Sequence, residues 1–127
     1  MEVSNNQKGY TLIELLVSFA IFAVLLLGLL AGLIAAYNIS TKNLIRDEAI
    51  KIAQEYIEEK RGTAFDNINS ESRTITRQIR NTNVQFTINS NVSTELANEV
   101  KRLTVTVSWT YQGKTYRYNI ETLVRKE

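Results

Sequence analysis

The 127-residue sequence contains no cysteine, no histidine and no proline, and the first two absences exclude whole classes of chemistry. Without cysteine there are no disulfides, no thiolate nucleophile and no cysteine-based metal site. Without histidine the commonest general acid and base is missing, together with a common metal ligand. The lack of cysteine does not identify the compartment, because reducing and oxidising spaces tolerate it equally.

The charge balance gives little information about partners. The formal net charge at pH 7 is +2, which does not by itself indicate a nucleic-acid ligand. A chain of this length is expected to form one compact unit, with little left for a second domain once a membrane segment is subtracted. The remaining information lies in the pattern of apolar and charged residues.

One long stretch of the sequence carries no charge. No Asp, Glu, Lys or Arg occurs from Leu15 to Thr41, and most residues there are apolar. Because a helix of about 20 apolar residues crosses the core of a bilayer, the stretch predicts a transmembrane helix. Glu14 stands at its entrance, where an ionised carboxylate in lipid is costly. This position predicts a functional role for Glu14 and a partner from outside the segment.

The residues around Glu14 form a specific pattern. Lys8-Gly9 is followed by Tyr10-Thr11-Leu12-Ile13-Glu14-Leu15-Leu16-Val17. This pattern resembles the class III signal of type IV pilins and type II secretion pseudopilins. The resemblance implies that a prepilin peptidase cuts after Gly9 and methylates the new terminal amine on Tyr10. The usual first mature residue of the family is Phe, so Tyr10 replaces one aromatic residue by another.

The resemblance also implies partners and a location. Glu14 would become the fifth mature residue and, with Thr11, serve filament assembly by meeting the terminal amine of a neighbouring subunit. The implied partners are prepilin peptidase, other pilin or pseudopilin subunits, and the lipid bilayer before assembly. The implied location is the bacterial inner membrane, with the N-terminus in the cytoplasm, and later an extracytoplasmic filament. Charge bias alone does not give this topology, because Lys8 is opposed by basic residues beyond the run.

Two simpler interpretations stay open. In the first, the chain is a plain single-pass anchored protein that keeps its leader. In the second, it is a secreted protein that is cut after the apolar stretch, where small residues occur between Ala31 and Ala36.

Other residues of the apolar stretch bear on the kind of subunit. Gly28 and Gly32 form a G-x-x-x-G pair that would let another helix approach closely, although such glycines are also simply tolerated in a leucine-rich helix. Major pilins commonly carry a proline about two-thirds along this segment, where this chain has Ala31. Residues 28–33, 102–109 and 120–124 are more loosely similar to PilV-like minor pilins and I-type minor pseudopilins. This similarity and the alanine in place of proline together favour one of these two kinds of subunit.

From Asn38 to Arg61 the helical pattern continues and becomes amphipathic. Apolar residues recur at helical spacing and predict one buried face: Ile45, Ala49, Ile52, Ala53 and Tyr56. The rest of the chain is expected to cover that face.

The C-terminal half predicts an antiparallel sheet. Residues 73–80 and 83–90 are predicted strands joined by a turn at Asn81-Thr82, which pairs Ile79 with Val84 and Ile75 with Ile88. Residues 63–72 and 91–100 are predicted loops.

The last hairpin has the clearest strand pattern. Residues 102–111 alternate apolar and polar side chains, and Gln112-Gly113 is a predicted two-residue turn. This turn pairs Trp109 with Tyr116, Val107 with Tyr118 and Val105 with Ile120, which places these apolar residues on one face.

The predicted fold class is therefore α+β and type IV pilin-like. Its long N-terminal helix is first transmembrane and then amphipathic, and it packs on a small C-terminal antiparallel sheet. The predicted segments are a leader at 1–9, a transmembrane and assembly helix at 10–37, an amphipathic continuation at 38–62 and a sheet at 63–127. The last two are expected to form one globular head.

The predicted head offers no recognisable catalytic or metal site. Its carboxylates lack an evident partner, and its Ser and Thr residues lack a base. No cofactor is predicted. The acids beyond residue 62 are too scattered along the chain for a calcium site: Asp66, Glu71, Glu95, Glu99, Glu121 and Glu127.

DNA capture is an alternative for the head. Nine Lys and Arg residues stand against those six acids, a slight excess that would favour phosphate contacts. The candidate contacts are Lys101, Arg102, Lys114 and Arg117. The main prediction is a structural subunit, a minor pilin or pseudopilin, rather than an enzyme; the sequence does not distinguish a pilus, secretion or competence machine.

Overall fold

The structure, a computed structural model, describes residues 2–126, with side chains from residue 11 onward. It contains one long helix, a short 3-10 helix and four strands. These are α1 (Glu2–Arg61), the 3-10 helix (Phe65–Asn67), β1 (Glu71–Ile79), β2 (Thr82–Glu95), β3 (Val100–Tyr111) and β4 (Lys114–Arg125). The α+β arrangement that the sequence predicts is confirmed. The chain forms two compact units, Met1–Ile39 and Ser40–Glu127, which are described separately.

From residue 11 onward the first unit is a largely apolar helix. Its large apolar side chains from Leu12 to Ile34 are between 43% and 70% exposed. The helix is long and apolar enough to cross a membrane. No side chain of this stretch is covered by the described part of the chain, so its apolar surface is available to lipid or to other helices.

The second unit is a layer of helix on a layer of sheet. The strands form an antiparallel meander in the order β1-β2-β3-β4. The five helix residues predicted to be buried are at most 2% exposed: Ile45, Ala49, Ile52, Ala53 and Tyr56. They belong to one core with strand residues that are fully buried, among them Phe86, Leu103, Val105 and Val107. One apolar face of the sheet therefore covers the apolar stripe of α1.

The β3–β4 hairpin confirms its predicted register. Trp109 pairs with Tyr116, Val107 with Tyr118 and Val105 with Ile120. The turn is Gln112-Gly113, and both residues have positive φ, 50° and 77°. Glycine adopts this left-handed conformation without steric cost, which is why the hairpin turns there.

The predicted register of the first hairpin is wrong by two residues. Ile79 pairs with Thr82, and Ile75 pairs with Phe86. The turn lies at Arg80-Asn81, and Arg80, with φ 55°, donates hydrogen bonds to Ser40 Oγ and Thr41 Oγ1 at 2.9 Å each. A shift of two residues keeps every side chain on its predicted face of the sheet, so the apolar pattern alone did not reveal the error.

The predicted loop at residues 91–100 is also wrong in part. β2 continues to Glu95, which pairs with Val100, and the turn contains Leu96, Ala97 and Asn98 in left-handed conformations. Asn91, Ser93 and Thr94 are exposed, whereas Val92 is half-buried and packs against the core. The backbone groups of this extension are satisfied by pairing with β3.

A buried and an exposed leucine are expected to differ in their contribution to stability. Leu103→Ala removes a fully buried side chain and should lower the free energy of unfolding by about 2–5 kcal/mol. Leu123 is 58% exposed, so Leu123→Ala should change it by less than about 0.5 kcal/mol. Denaturant unfolding in detergent, followed by Trp109 fluorescence, measures both. Equal losses would contradict the proposed packing of the helix on one face of the sheet.

Candidate functional site

The predicted processing site precedes the described side chains. Gly9 and Tyr10, the predicted cleavage and methylation positions, lie outside the residues whose side chains the structure describes. Thr11 and Glu14 follow within α1, and both are exposed.

Glu14 is a carboxylate surrounded by apolar surface. Its neighbours Ile13 and Leu15 are 63% and 60% exposed, and no basic side chain among residues 11–126 forms an ion pair with it. A carboxylate placed in this way is stable in lipid only when protonated or paired with a cation. The local chemistry is therefore that of an acceptor for a cationic group from another molecule.

Gly28 and Gly32 form the floor of a shallow groove on the same helix. The groove is lined by Val24, Leu25, Gly28, Leu29, Gly32 and Leu33. A methyl group added at either glycine would meet no atom within 4 Å in the described chain. No contact among the described residues therefore requires glycine at these positions, whereas a closely approaching helix would.

The second unit contains an ionic cluster that the sequence analysis missed. Glu71, at the start of β1, accepts contacts from three groups at its Oε1 atom: the Tyr56 hydroxyl at 2.7 Å, Lys60 Nζ at 2.9 Å and an Arg73 nitrogen at 3.1 Å. Arg73 also makes a two-pronged ion pair with Glu59, at 2.9 and 3.2 Å. The cluster connects the last turns of α1 to the edge strand of the sheet.

The cluster changes the acidity of its members. The hydrogen bond from Tyr56, with the ammonium of Lys60, lowers the pKa of Glu71 below its usual range. The Arg73 guanidinium lowers the pKa of Glu59 in the same way. Burial raises the pKa of the Tyr56 hydroxyl to about 12. All three shifts favour the ionised carboxylates and the protonated hydroxyl that are present at neutral pH.

The geometry of the cluster indicates a structural role. The cavity beside Tyr56 holds about 60 Å³ and is lined partly by Ile52, Ile75 and Ile88. A space of this size admits one or two water molecules and no organic substrate.

The sequence did contain a signal for the ionic cluster. Glu71, Arg73 and Arg77 alternate with the same period as Ile75 and Ile79, which places all five side chains on the face of the sheet that meets the helix.

The four candidate DNA contacts are not brought together. Lys101 donates hydrogen bonds to the carbonyl oxygens of Phe65 and Ile68, at 2.6 and 3.1 Å, and Arg102 forms ion pairs with Glu95 and Glu121. Lys114 pairs with Tyr111, at an inner-face position, whereas Arg117 pairs with Ser108 on the outer face. DNA binding stays an untested alternative, without a common surface for these residues.

Carboxylates do not converge elsewhere in the described head. Within residues 11–126 no group of three or more acids is placed to hold a metal ion. Glu95 and Glu121 approach Arg102 instead, at 2.9 and 3.4 Å.

Comparison with known proteins identifies the N-terminal segment. Residues 4–30 match the prokaryotic N-terminal methylation motif, which is typical of type IV pilins and pseudopilins. The predicted recognition is thus confirmed. The motif indicates a pilin-like substrate of prepilin peptidase, anchored in the membrane by its apolar helix, and points to a structural subunit rather than an enzyme. No curated protein and no solved structure matches the chain.

The ionic cluster predicts acid sensitivity. Because the pKa values of Glu59 and Glu71 are lowered on folding, their contribution to stability is present above about pH 4.5 and is lost as the pH falls below it. The variant Glu71→Gln leaves the largely buried Lys60 without its carboxylate and should cost about 1–3 kcal/mol at neutral pH. The stability of this variant should fall less steeply below about pH 4.5 than that of the unmodified protein.

Glu58→Gln is the matched control, because Glu58 lies on the exposed side of α1, outside the cluster. Its unfolding midpoint should follow that of the unmodified protein at every pH. A Glu71→Gln variant with unchanged stability and unchanged acid sensitivity would contradict the assigned role of the cluster.

Proposed function

We propose that this chain is a minor type IV pilin or pseudopilin. In this proposal prepilin peptidase cleaves after Gly9, methylates the amine of Tyr10, and releases a subunit that assembles into a pilus or a secretion pseudopilus. The observation that carries the proposal is the methylation motif over residues 4–30, with Glu14 as the one acidic residue in it. The subunit is a structural component, inserted in the inner membrane and later transferred to an extracytoplasmic filament.

The physical role of Glu14 follows from its surroundings. In a lipid-embedded helix its carboxylate lacks an ion-pair partner among residues 11–126, and ionisation there is unfavourable. In the proposed filament the methylated amine of a neighbouring subunit supplies the opposite charge. The attraction offsets much of the desolvation that each charge suffers alone. Correct placement of one helix along the next is thereby favoured over other offsets.

The groove at Gly28 and Gly32 supports the same arrangement. Small residues let two helix backbones approach closely, and packing contacts then replace contacts with lipid chains. The exposed leucines around the groove supply the apolar surface of that contact. In the proposed filament these residues pack helix against helix.

The subunit type is proposed as minor. The segment has Ala31 where a major pilin commonly has proline. A DNA-uptake pilin is the alternative within the same family. A plain anchored protein, which keeps its leader, is the alternative outside it.

The proposal predicts a specific assembly defect. Glu14→Gln should be inserted and processed normally, but should be at least about tenfold depleted from sheared filaments, since removing one partner of a buried ion pair costs about 3–5 kcal/mol. Glu58→Gln, which removes a solvent-exposed carboxylate further along the same helix, should assemble normally. Quantitative immunoblotting of membranes and filaments measures both variants. Equal incorporation of the two would refute the role assigned to Glu14.

A further inference from the structure

One end of the second unit is rich in positive charge. Three segments meet there: the start of the head helix at 40–46, the β1–β2 turn at 79–82 and the β3–β4 turn at 111–114. Together these segments contain Lys42, Arg46, Arg80 and Lys114, and no Asp or Glu. We call these four residues the basic end.

Contacts within the unit hold the basic end together. Arg80 donates hydrogen bonds to Ser40 Oγ and Thr41 Oγ1, which ties the first turn of the sheet to the helix. Lys42 Nζ lies 4.8 Å from the centre of the Tyr116 ring, which ties β4 to the helix. In an antiparallel meander the first and third turns lie at the same end of the sheet, so the β3–β4 turn and Lys114 belong to this end too.

The opposite end has mixed charge. The β2–β3 turn and the end of β4 carry acids among their basic residues: Glu95, Glu99 and Glu121 beside Arg102, Arg125 and Lys126. Ion pairs from Arg102 to Glu95 and Glu121 neutralise part of that charge. The basic end differs from the opposite end because its three segments contain no acid.

The cations of the basic end are accessible. Lys42, Arg46 and Lys114 are exposed, and none of these three forms an ion pair with a carboxylate of residues 11–126. Arg80 serves mainly to hold the helix and the turn together, and adds its charge to the same surface.

The position of the basic end along the chain indicates its ligand. Lys42 is the first charged residue after the uncharged stretch and follows Ile39, the last residue of the first unit, by three positions. At 1.5 Å per helical residue, three positions span about 5 Å. Whatever the angle between the two units, this short covalent connection keeps Lys42 close to the end of the uncharged stretch. Basic residues so close to an anionic leaflet are attracted to its phosphate groups.

We propose that the basic end binds the anionic phosphate headgroups of the bilayer before the subunit is assembled. The proposal requires only that the apolar helix crosses a membrane, so it stands or falls independently of cleavage, methylation and filament assembly. The contact would hold the head against the membrane surface, and entry into a filament would require its release. Because it is electrostatic, it should weaken as ionic strength rises.

The test uses the full chain in lipid vesicles. Since the chain has no cysteine, Asn81→Cys in the exposed β1–β2 turn accepts a single fluorophore. A lipid with a nitroxide on its headgroup quenches that fluorophore only when the turn approaches the membrane surface. Quenching is compared between phosphatidylcholine vesicles and vesicles that also contain phosphatidylglycerol. We expect stronger quenching in the anionic vesicles, reversed by salt.

Charge variants assign the effect to named residues. In the labelled chain, Lys42→Gln with Lys114→Gln should lower the ratio of docked to undocked heads by roughly tenfold or more, given the attraction of each basic residue to an anionic surface. Lys42→Arg with Lys114→Arg keeps the charge and should restore quenching, which separates loss of binding from loss of folding. Arg125→Gln with Lys126→Gln removes the same charge at the opposite end and should leave quenching unchanged.

Three results would overturn the proposal. The first is equal quenching in neutral and anionic vesicles, and the second is an equal loss of quenching in the two charge-removing variants. The third is salt-reversible binding of duplex DNA through Lys42 and Lys114 with no response to anionic lipid, which would assign the basic end to nucleic acid.

Discussion

The whole structure depends on one helix that must satisfy two different surroundings. Between residues 12 and 34 the large apolar side chains of α1 are exposed within the described chain. In the second unit only one face is apolar, and that face is covered by the sheet. The first unit therefore needs lipid or other helices, whereas the second is complete by itself. Glu14 is the exception in the first unit, because neither lipid nor apolar packing satisfies an ionised carboxylate.

The edge strand β1 is fixed to the helix by ionic contacts. Its inner face carries Glu71, Arg73 and Arg77, which pair with α1 through Lys60, Glu59, Glu48 and Glu55. Charged side chains that point inward make an edge strand a poor template for further strand pairing. Ionic contacts therefore fix this edge of the sheet to its own helix.

Much of this arrangement could be predicted from the sequence, because periodic apolar patterns report burial directly. The stripe from Ile45 to Tyr56 and the alternation before Gln112-Gly113 gave the buried helix face and the last hairpin with its register. The first hairpin was misaligned because its inner face alternates charges with isoleucines. The position of Arg77 depends on Glu48 and Glu55, and the offset of helix against sheet is not encoded in either pattern alone. The cluster around Tyr56 was missed for the same reason. The roles of Gly9, Tyr10 and Glu14 came from a motif, and they stay predictions.

The central claim is that the apolar helix begins, in the mature protein, at a methylated amine made by prepilin peptidase. Intact mass measurement with N-terminal sequencing of the protein from native membranes tests it most directly. The account predicts a chain that starts at N-methylated Tyr10. A chain that starts at Met1 would contradict it and would make Glu14 a residue of an ordinary anchored protein. A chain that starts beyond Ala36 would also contradict it, because such a secreted protein has lost Glu14 together with the apolar stretch.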